Sequence, residues 1–176
     1  MLRPGCRKTK NQINKPGFAG GSMLYTRRWL LLNKKMTIEN AAAYQKEAIA
    51  LLTAENLPVD DLSENLPDFF VAIEGSEIIG VAGMEVYGNY GLLRSVAVLP
   101  SRRGQGIAGK LVGQVESAGK QKGLSALYLL TETAADYFKN KGYAQIDRAQ
   151  VPTAIQISSE FSHVCPVSAI VMEKEL

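Results

Sequence analysis

Residues 103–110 read Arg-Gly-Gln-Gly-Ile-Ala-Gly-Lys, and an amphipathic run follows them directly. Glycines let a backbone approach a ligand closely, and the first turn of a helix presents free N–H groups on the positive end of its dipole. A phosphate or pyrophosphate belongs at such a place, and Arg102 and Arg103 add charge beside it. The plain alternative is a glycine-rich turn with no ligand. Two familiar phosphate loops fit poorly. Gly104-x4-Gly109-Lys110 follows the P-loop until Leu111 stands where a magnesium-holding hydroxyl is required. Gly104-x-Gly106-x-x-Gly109 follows the dinucleotide fingerprint, but residues 99–103 separate it from the strand it should touch.

Arg94 is the second residue able to do chemistry. It sits inside the apolar run Leu92–Val98, where an unpaired charge is costly. Strand alternation would put Arg94, Val96 and Val98 on one side, and a planar guanidinium there suits a carboxylate, phosphinate or arsinate. A salt bridge to Glu85 across a hairpin is the structural alternative. His163 reads as a surface or packing residue and Cys165 as a small buried apolar one. One histidine and two cysteines give no metal-ligand spacing and no disulfide framework.

The elements that position these residues follow from periodicity. Ala41–Glu55 carries Tyr44, Ala48, Leu51 and Leu52 at helical spacing behind Asn40, a good N-cap. Residues 69–73, 78–87 and 92–98 read as three antiparallel strands separated by Glu74-Gly75-Ser76-Glu77 and Gly88-Asn89-Tyr90-Gly91 turns. Pro100 ends the third. Gly104–Lys122 is a loop entering a helix closed by Gly123, and Leu124–Thr131 is a buried strand. A short helix 134–141, a strand from Tyr143, a short helix 154–161 and a last strand 169–172 complete the chain. A meander followed by βαβ predicts an α/β domain whose sheet is mixed, mostly antiparallel, with helices on both faces.

The 176 residues are 46% hydrophobic and 21% charged, with a net charge of +3. This composition excludes wholesale disorder, and no apolar run approaches the ~20 residues of a membrane span. The charge is uneven. Residues 1–35 hold nine basic groups and no acid, and the rest of the chain is net acidic, which argues against nucleic acid as a partner. We therefore divide the chain into a basic flexible extension, 1–33, and a domain, 34–176. Met36 reads as an alternative start. A cytoplasmic location is expected, with organelle targeting by residues 1–35 as the alternative.

Arg103-Gly104-Gln105-Gly106-Ile107-Ala108 also fits Arg/Gln-x-x-Gly-x-Gly/Ala preceded by an apolar strand, a proline and a basic linker. With that combination, residues 36–176 resemble the GNAT superfamily of acetyl-CoA-dependent N-acetyltransferases. The resemblance implies a GNAT fold with a central splay between strand 92–98 and strand 124–131. It implies acetyl-CoA as co-substrate, no metal, and a small-molecule amine as partner, with a homodimer left open. Gly104, Gln105, Gly106, Ala108 and Gly109 would bind the pyrophosphate through backbone amides, with Arg103 beside them. Val96 and Val98 would pair with pantetheine, and an N–H near Val98 would stabilise the oxyanion. Leu92–Val98, Leu127–Thr131 and Glu160–Ala169 are similar to the arsenic-resistance group of arsinothricin- and phosphinothricin-type acetyltransferases. That likeness implies an anionic amino-acid-like acceptor held by Arg94.

An acetyltransferase of this kind needs a base for the acceptor ammonium and an acid for the thiolate. Glu85, Glu132 and Glu160 are the carboxylates considered as base, with Glu85 at the cleft or on the solvent face, Glu132 at a strand end and Glu160 at the surface. The superfamily's tyrosine acid falls on Phe138, and Tyr137 lies one residue early, about 100° away on a helix. A sensor that binds acetyl-CoA without turning it over, and a protein or peptide acetyltransferase, are the alternative functions.

Overall fold

The computed structural model describes residues 35–176 apart from Cys165 and Val167, and only the backbone of His163 and Val164. The basic extension 1–33, Cys165 and the His163 side chain thus lie outside the described residues. One seven-stranded sheet organises the rest, in the order β1-β2-β3-β4-β5-β7-β6. The strands are β1 (Met36–Asn40), β2 (Phe69–Glu74), β3 (Glu77–Tyr87), β4 (Tyr90–Val98), β5 (Ala126–Thr131), β6 (Ala144–Ile146) and β7 (Ile170–Glu175). β4 and β5 run parallel and every other pair antiparallel. This is the α/β sheet that the periodicity predicts, mixed and mostly antiparallel.

Helices cover both faces. α2 (Ile107–Gln121) buries Ile107, Leu111, Val112 and Val115 against Met84, Leu93, Val98 and Leu127. Each such side chain contributes about 1.5–3 kcal/mol. On the opposite face α1 (Gln45–Ala54) buries Ala48, Leu51 and Leu52 against Phe69, Val71, Val81 and Ala97. Asn40 does cap this segment, its Oδ1 accepting from the Ala42 N–H at 2.9 Å. The first turn, Ala41–Tyr44, is a 3₁₀ turn, a common way for a helix to start. α3 (Ala135–Lys139) and α4 (Thr153–Gln156) are short. The helix expected over 154–161 is two pieces: α4, then a separate π-helical turn, Glu160–Val164.

Two irregularities open the sheet. β4 meets β5 only through Tyr90↔Ala126, Gly91↔Leu127 and Leu92↔Tyr128, and the strands part beyond them. Gly91 permits the approach, since a Cβ there would lie 2.5 Å from Leu127 Cδ2. The second irregularity is a bulge. Gly83 faces Arg94 and Val81 faces Ala97, so three steps on β4 match two on β3. Ser95 absorbs the extra residue at φ +57°, a left-handed conformation that strains a non-glycine residue. A bulge bends and twists its strand, and this one lies where β4 leaves β5.

Candidate active site

The glycine loop enters α2 as a built anion nest. Gly104 (φ +76°) and Gly106 (φ +75°) both need left-handed backbone, and no atom stands within 4 Å of where a side chain would begin. Lys110 N–H makes the first intrahelical bond, to Gly106 O. The N–H groups of Ile107, Ala108 and Gly109 therefore have no partner along the helix and face its N-terminal end. A Cβ at Gly109 would meet the end of the Lys141 side chain, Nζ at 2.8 Å, which a lysine can move away. Gln105 is exposed in the loop.

The two arginines part company. Arg102 turns back to the β2–β3 hairpin, 2.5 Å from Glu74 and 3.6 Å from Glu77, so its expected place beside the anion is corrected. Arg103 stays at the nest, its Nε donating to Val98 O at 3.1 Å and its guanidinium paired with Glu55.

Val98 presents its backbone to the open side of the sheet. Leu99 N–H bonds Ile79 O on β3. Successive residues of a strand aim their backbone groups at opposite edges, so the Val98 N–H and C=O point away from β3, toward the splay. A cavity of about 370 Å3 lies here, lined by Glu55, Leu57, Val96, Val98, Arg103, Gly104 and Ala108 among others. A second cavity, of about 460 Å3, fills the splay itself. Its walls include Asn56, Leu93, Ser95, Val96, Leu129, Thr131, Glu132, Phe138 and Glu160. Leu57 and Val96 line both, so the two cavities stand side by side between the nest and the splay.

Arg94 does not wait for an anion. Its side chain is fully buried and surrounded by carboxylates from three segments. Asp61 takes both terminal nitrogens, at 2.8 and 2.7 Å, and Glu85 takes Nη1 at 2.5 Å. Glu160 Oε1 stands 3.0 Å from Nε without the alignment of a hydrogen bond. Burial opposes the charge of Arg94, but the Asp61 hydrogen bonds and the Glu160 and Glu85 charges outweigh it and raise its pKa. The Arg94 hydrogen bonds hold the Asp61 carboxyl below its ordinary value against partial burial, and Ser159 Oγ adds a further bond. Arg94, expected as a receptor for a substrate anion, thus already has three carboxylate partners, and the cross-hairpin bridge to Glu85 is present. Alternation failed here because the Ser95 bulge inverts the faces: Arg94 and Ala97 share one side, Val98 the other.

The candidate bases separate. Glu85 lines neither cavity, and its second oxygen accepts from Tyr87 Oη at 2.6 Å, which, after burial, raises the Tyr87 pKa. Glu85, expected as a base, thus stands with Arg94 and Tyr87 rather than on the wall of either cavity. Glu132 is exposed on the rim of the splay cavity. Glu160, expected at the surface, is 8% exposed and lines that cavity. The sequence places Glu160 near the end of the helix expected over 154–161, with nothing to mark it as buried. Phe138 occupies the wall where a tyrosine acid is absent, while Tyr137 Oη is buried without a partner near Gly109, outside both cavities.

Comparison with known proteins agrees with this geometry. Residues 65–145 match the family model of the acetyltransferase (GNAT) domain. An uncharacterised N-acetyltransferase of Chlorobaculum tepidum is 32% identical over 98 residues, which are 55% of this chain and 63% of that protein. An amino-acid acetyltransferase of Pseudomonas putida is 28% identical over 141 residues, 77% of this chain and 32% of that protein. N-acetylglutamate synthase from Neisseria gonorrhoeae, solved with coenzyme A and N-acetyl-glutamate, superposes with a TM-score of 0.64 at 15% identity, covering 82% of this chain and 36% of that one. The chain thus spans less than two thirds of each of these proteins. Glycine nest, bulged strand and the parting of β4 from β5 all fall within residues 65–145, the stretch that matches the acetyltransferase (GNAT) domain.

Proposed function

We propose that the protein is an N-acetyltransferase that moves the acetyl group of acetyl-CoA to the primary amine of a small molecule. The observation that carries this reading is the cavity at the anion nest standing beside the cavity of the splay, with Leu57 and Val96 as shared walls. A thioester of a long phosphorylated carrier needs that shape. The free N–H groups of Ile107, Ala108 and Gly109, with Arg103, fit the pyrophosphate. Val96, which lines both cavities, would offer its backbone to an amide of pantetheine, while the Val98 carbonyl already accepts from Arg103. The Val98 N–H would polarise the thioester carbonyl and hold the charge that develops on its oxygen, worth about 3 kcal/mol. The acceptor would come from the splay side, where Glu132 and Glu160 stand.

Similarity to an amino-acid acetyltransferase, and a shared fold with an N-acetylglutamate synthase, support an amino acid as acceptor class. The narrower reading, an arsinothricin-like amino acid with a second anionic group, depended on Arg94. With Arg94 already enclosed by Asp61, Glu85 and Glu160, that reading loses its receptor. CoA release measured with a panel of amino acids, arsinothricin-like analogues, diamines and peptides tests the proposal. Turnover is expected with at least one small amine, and Gly106→Glu is expected to abolish acetyl-CoA binding by placing a carboxylate in the nest. Tight acetyl-CoA binding without turnover of any amine would establish the sensor reading instead.

A further inference from the structure

We propose that Glu55 and Arg103 form a latch at the nest cavity, and that this latch makes the site select acetyl-CoA against acetyl thioesters of pantetheine that lack the pyrophosphate. This deepens the acetyltransferase reading and rests on it. The two residues lie 48 positions apart in sequence and line the cavity of about 370 Å3 together with Val98. Arg103 is held there at two points. Its Nη2 pairs with the Glu55 carboxylate, and its Nε donates to the Val98 carbonyl at 3.1 Å. That carbonyl points away from β3, so the side chain of Arg103 covers a backbone acceptor on the open side of the strand.

The helix that carries Glu55 does not account for a carboxylate at this place. Glu55 is the C-cap of α1, where the last carbonyls form the negative end of the dipole and an acid is disfavoured. The last turn of α1 supplies no basic side chain to offset it. The charge that faces Glu55 comes from Arg103 instead. Burial divides the roles within the pair. The Glu55 side chain is 16% exposed and the Arg103 side chain 59%, so Glu55 is the fixed half and Arg103 the half free to turn. An ion pair with one partner this exposed is weak and exchanges readily for a better one.

A pyrophosphate is the better partner. Arg103 directly precedes Gly104, the first glycine of the nest, so an anion seated there lies beside it in the chain. A guanidinium binds phosphate oxygens through two parallel bonds, and a pyrophosphate carries more charge than one carboxylate. When acetyl-CoA enters, Arg103 turns from Glu55 to the pyrophosphate and uncovers the Val98 carbonyl. Acetyl-pantetheine is uncharged. It gives Arg103 nothing to turn to, and it meets a covered carbonyl. In the bound state Glu55 has lost its cation and faces an anionic cofactor across the cavity. That repulsion keeps acetyl-CoA from binding too tightly and favours departure of CoA after transfer.

Calorimetric titration of the full chain with acetyl-CoA and with acetyl-pantetheine tests the latch, in the parent, Arg103→Ala and Glu55→Gln, with thermal melting to confirm that each variant is folded. Arg103→Ala is expected to move the two ligands in opposite directions. Acetyl-CoA should bind ~10- to 150-fold more weakly, having lost a charge-assisted bond, and acetyl-pantetheine ~2- to 10-fold more tightly, having gained a free Val98 carbonyl. Glu55→Gln removes the competitor for Arg103 and is expected to tighten acetyl-CoA ~2- to 10-fold. An arginine with a merely structural role would weaken both ligands together. No gain for acetyl-pantetheine in Arg103→Ala, or weaker acetyl-CoA binding in Glu55→Gln, would overturn the latch and leave the acetyltransferase reading standing. Failure of the folded parent to bind acetyl-CoA would remove that reading and this inference with it.

Discussion

Arg94 and Val98 stand four residues apart on β4 and point to opposite faces of the sheet. In a regular strand they would share a face. The additional residue at Ser95 and Val96 separates two tasks. Val98 can pack its side chain under α2 while its backbone faces the groove. Arg94 can reach back to Asp61 on the other side.

Arg94→Met tests that second task. Asp61, Glu85 and Glu160 would lose their cation, and removing one partner of a buried ionic cluster costs about 3–5 kcal/mol. Chemical denaturation should show a loss of that size, and adding Asp61→Asn and Glu85→Gln should restore part of it. A loss below about 1 kcal/mol would mean the cluster is no more than a surface network.

Acid should attack the same cluster. The Arg94 hydrogen bonds hold Asp61 below its ordinary 3.8, so its unfolded form takes up protons first. Its stabilising contribution is complete above about pH 4 and is lost as pH falls below that value through the lowered one. Stability followed from pH 6 to 2 should fall less steeply in Asp61→Asn than in the parent. Parallel curves would show that Asp61 is not a sensor of acid.

Gly83→Ala should perturb the bulge from the other strand. A Cβ at Gly83 would lie 2.2–2.5 Å from the ring carbons of Phe69, which is 1% exposed. Overpacking of this kind costs about 1–3 kcal/mol. Phe69→Leu in the same chain should recover part of that cost, and additivity of the two changes would argue against direct contact.

Much of this architecture could be read from periodicity. Ile107, Leu111 and Val115 announce α2, and the alternating strands announce the meander, because local burial patterns determine both. The glycine loop was legible for the same reason: Gly104 and Gly106 hold conformations that other residues avoid. The Arg94 cluster was not. Asp61 lies 33 residues from Arg94 and 98 from Ser159, and no local pattern records such contacts. Ser95 gave no sign of a bulge, since a serine at φ +57° looks like any strand serine. Once the bulge was missed, the inference that Arg94 faced the same side as Val98 followed wrongly from sound alternation.

Tyr137→Phe separates the two aromatic positions of α3. Phe138 stands in the wall of the splay cavity, where a phenol could protonate a leaving thiolate, and it has none to offer. Tyr137 has the hydroxyl but lines neither cavity; its Oη is buried without a hydrogen-bond partner, and burial, with the Glu116 charge behind it, raises its pKa. A buried hydroxyl without a partner is a cost of about 1–3 kcal/mol to the folded state, so removing it should leave stability unchanged or raise it by about 1 kcal/mol. The ring itself stays, with its edge-on contact to Phe138 at 5.1 Å. CoA is a good enough leaving group to depart without an acid at Phe138, so kcat in Tyr137→Phe should equal that of the parent at every pH. A kcat lowered tenfold or more, with stability intact, would show that the Tyr137 hydroxyl reaches the sulfur after α3 rotates by about 100°, one helical position.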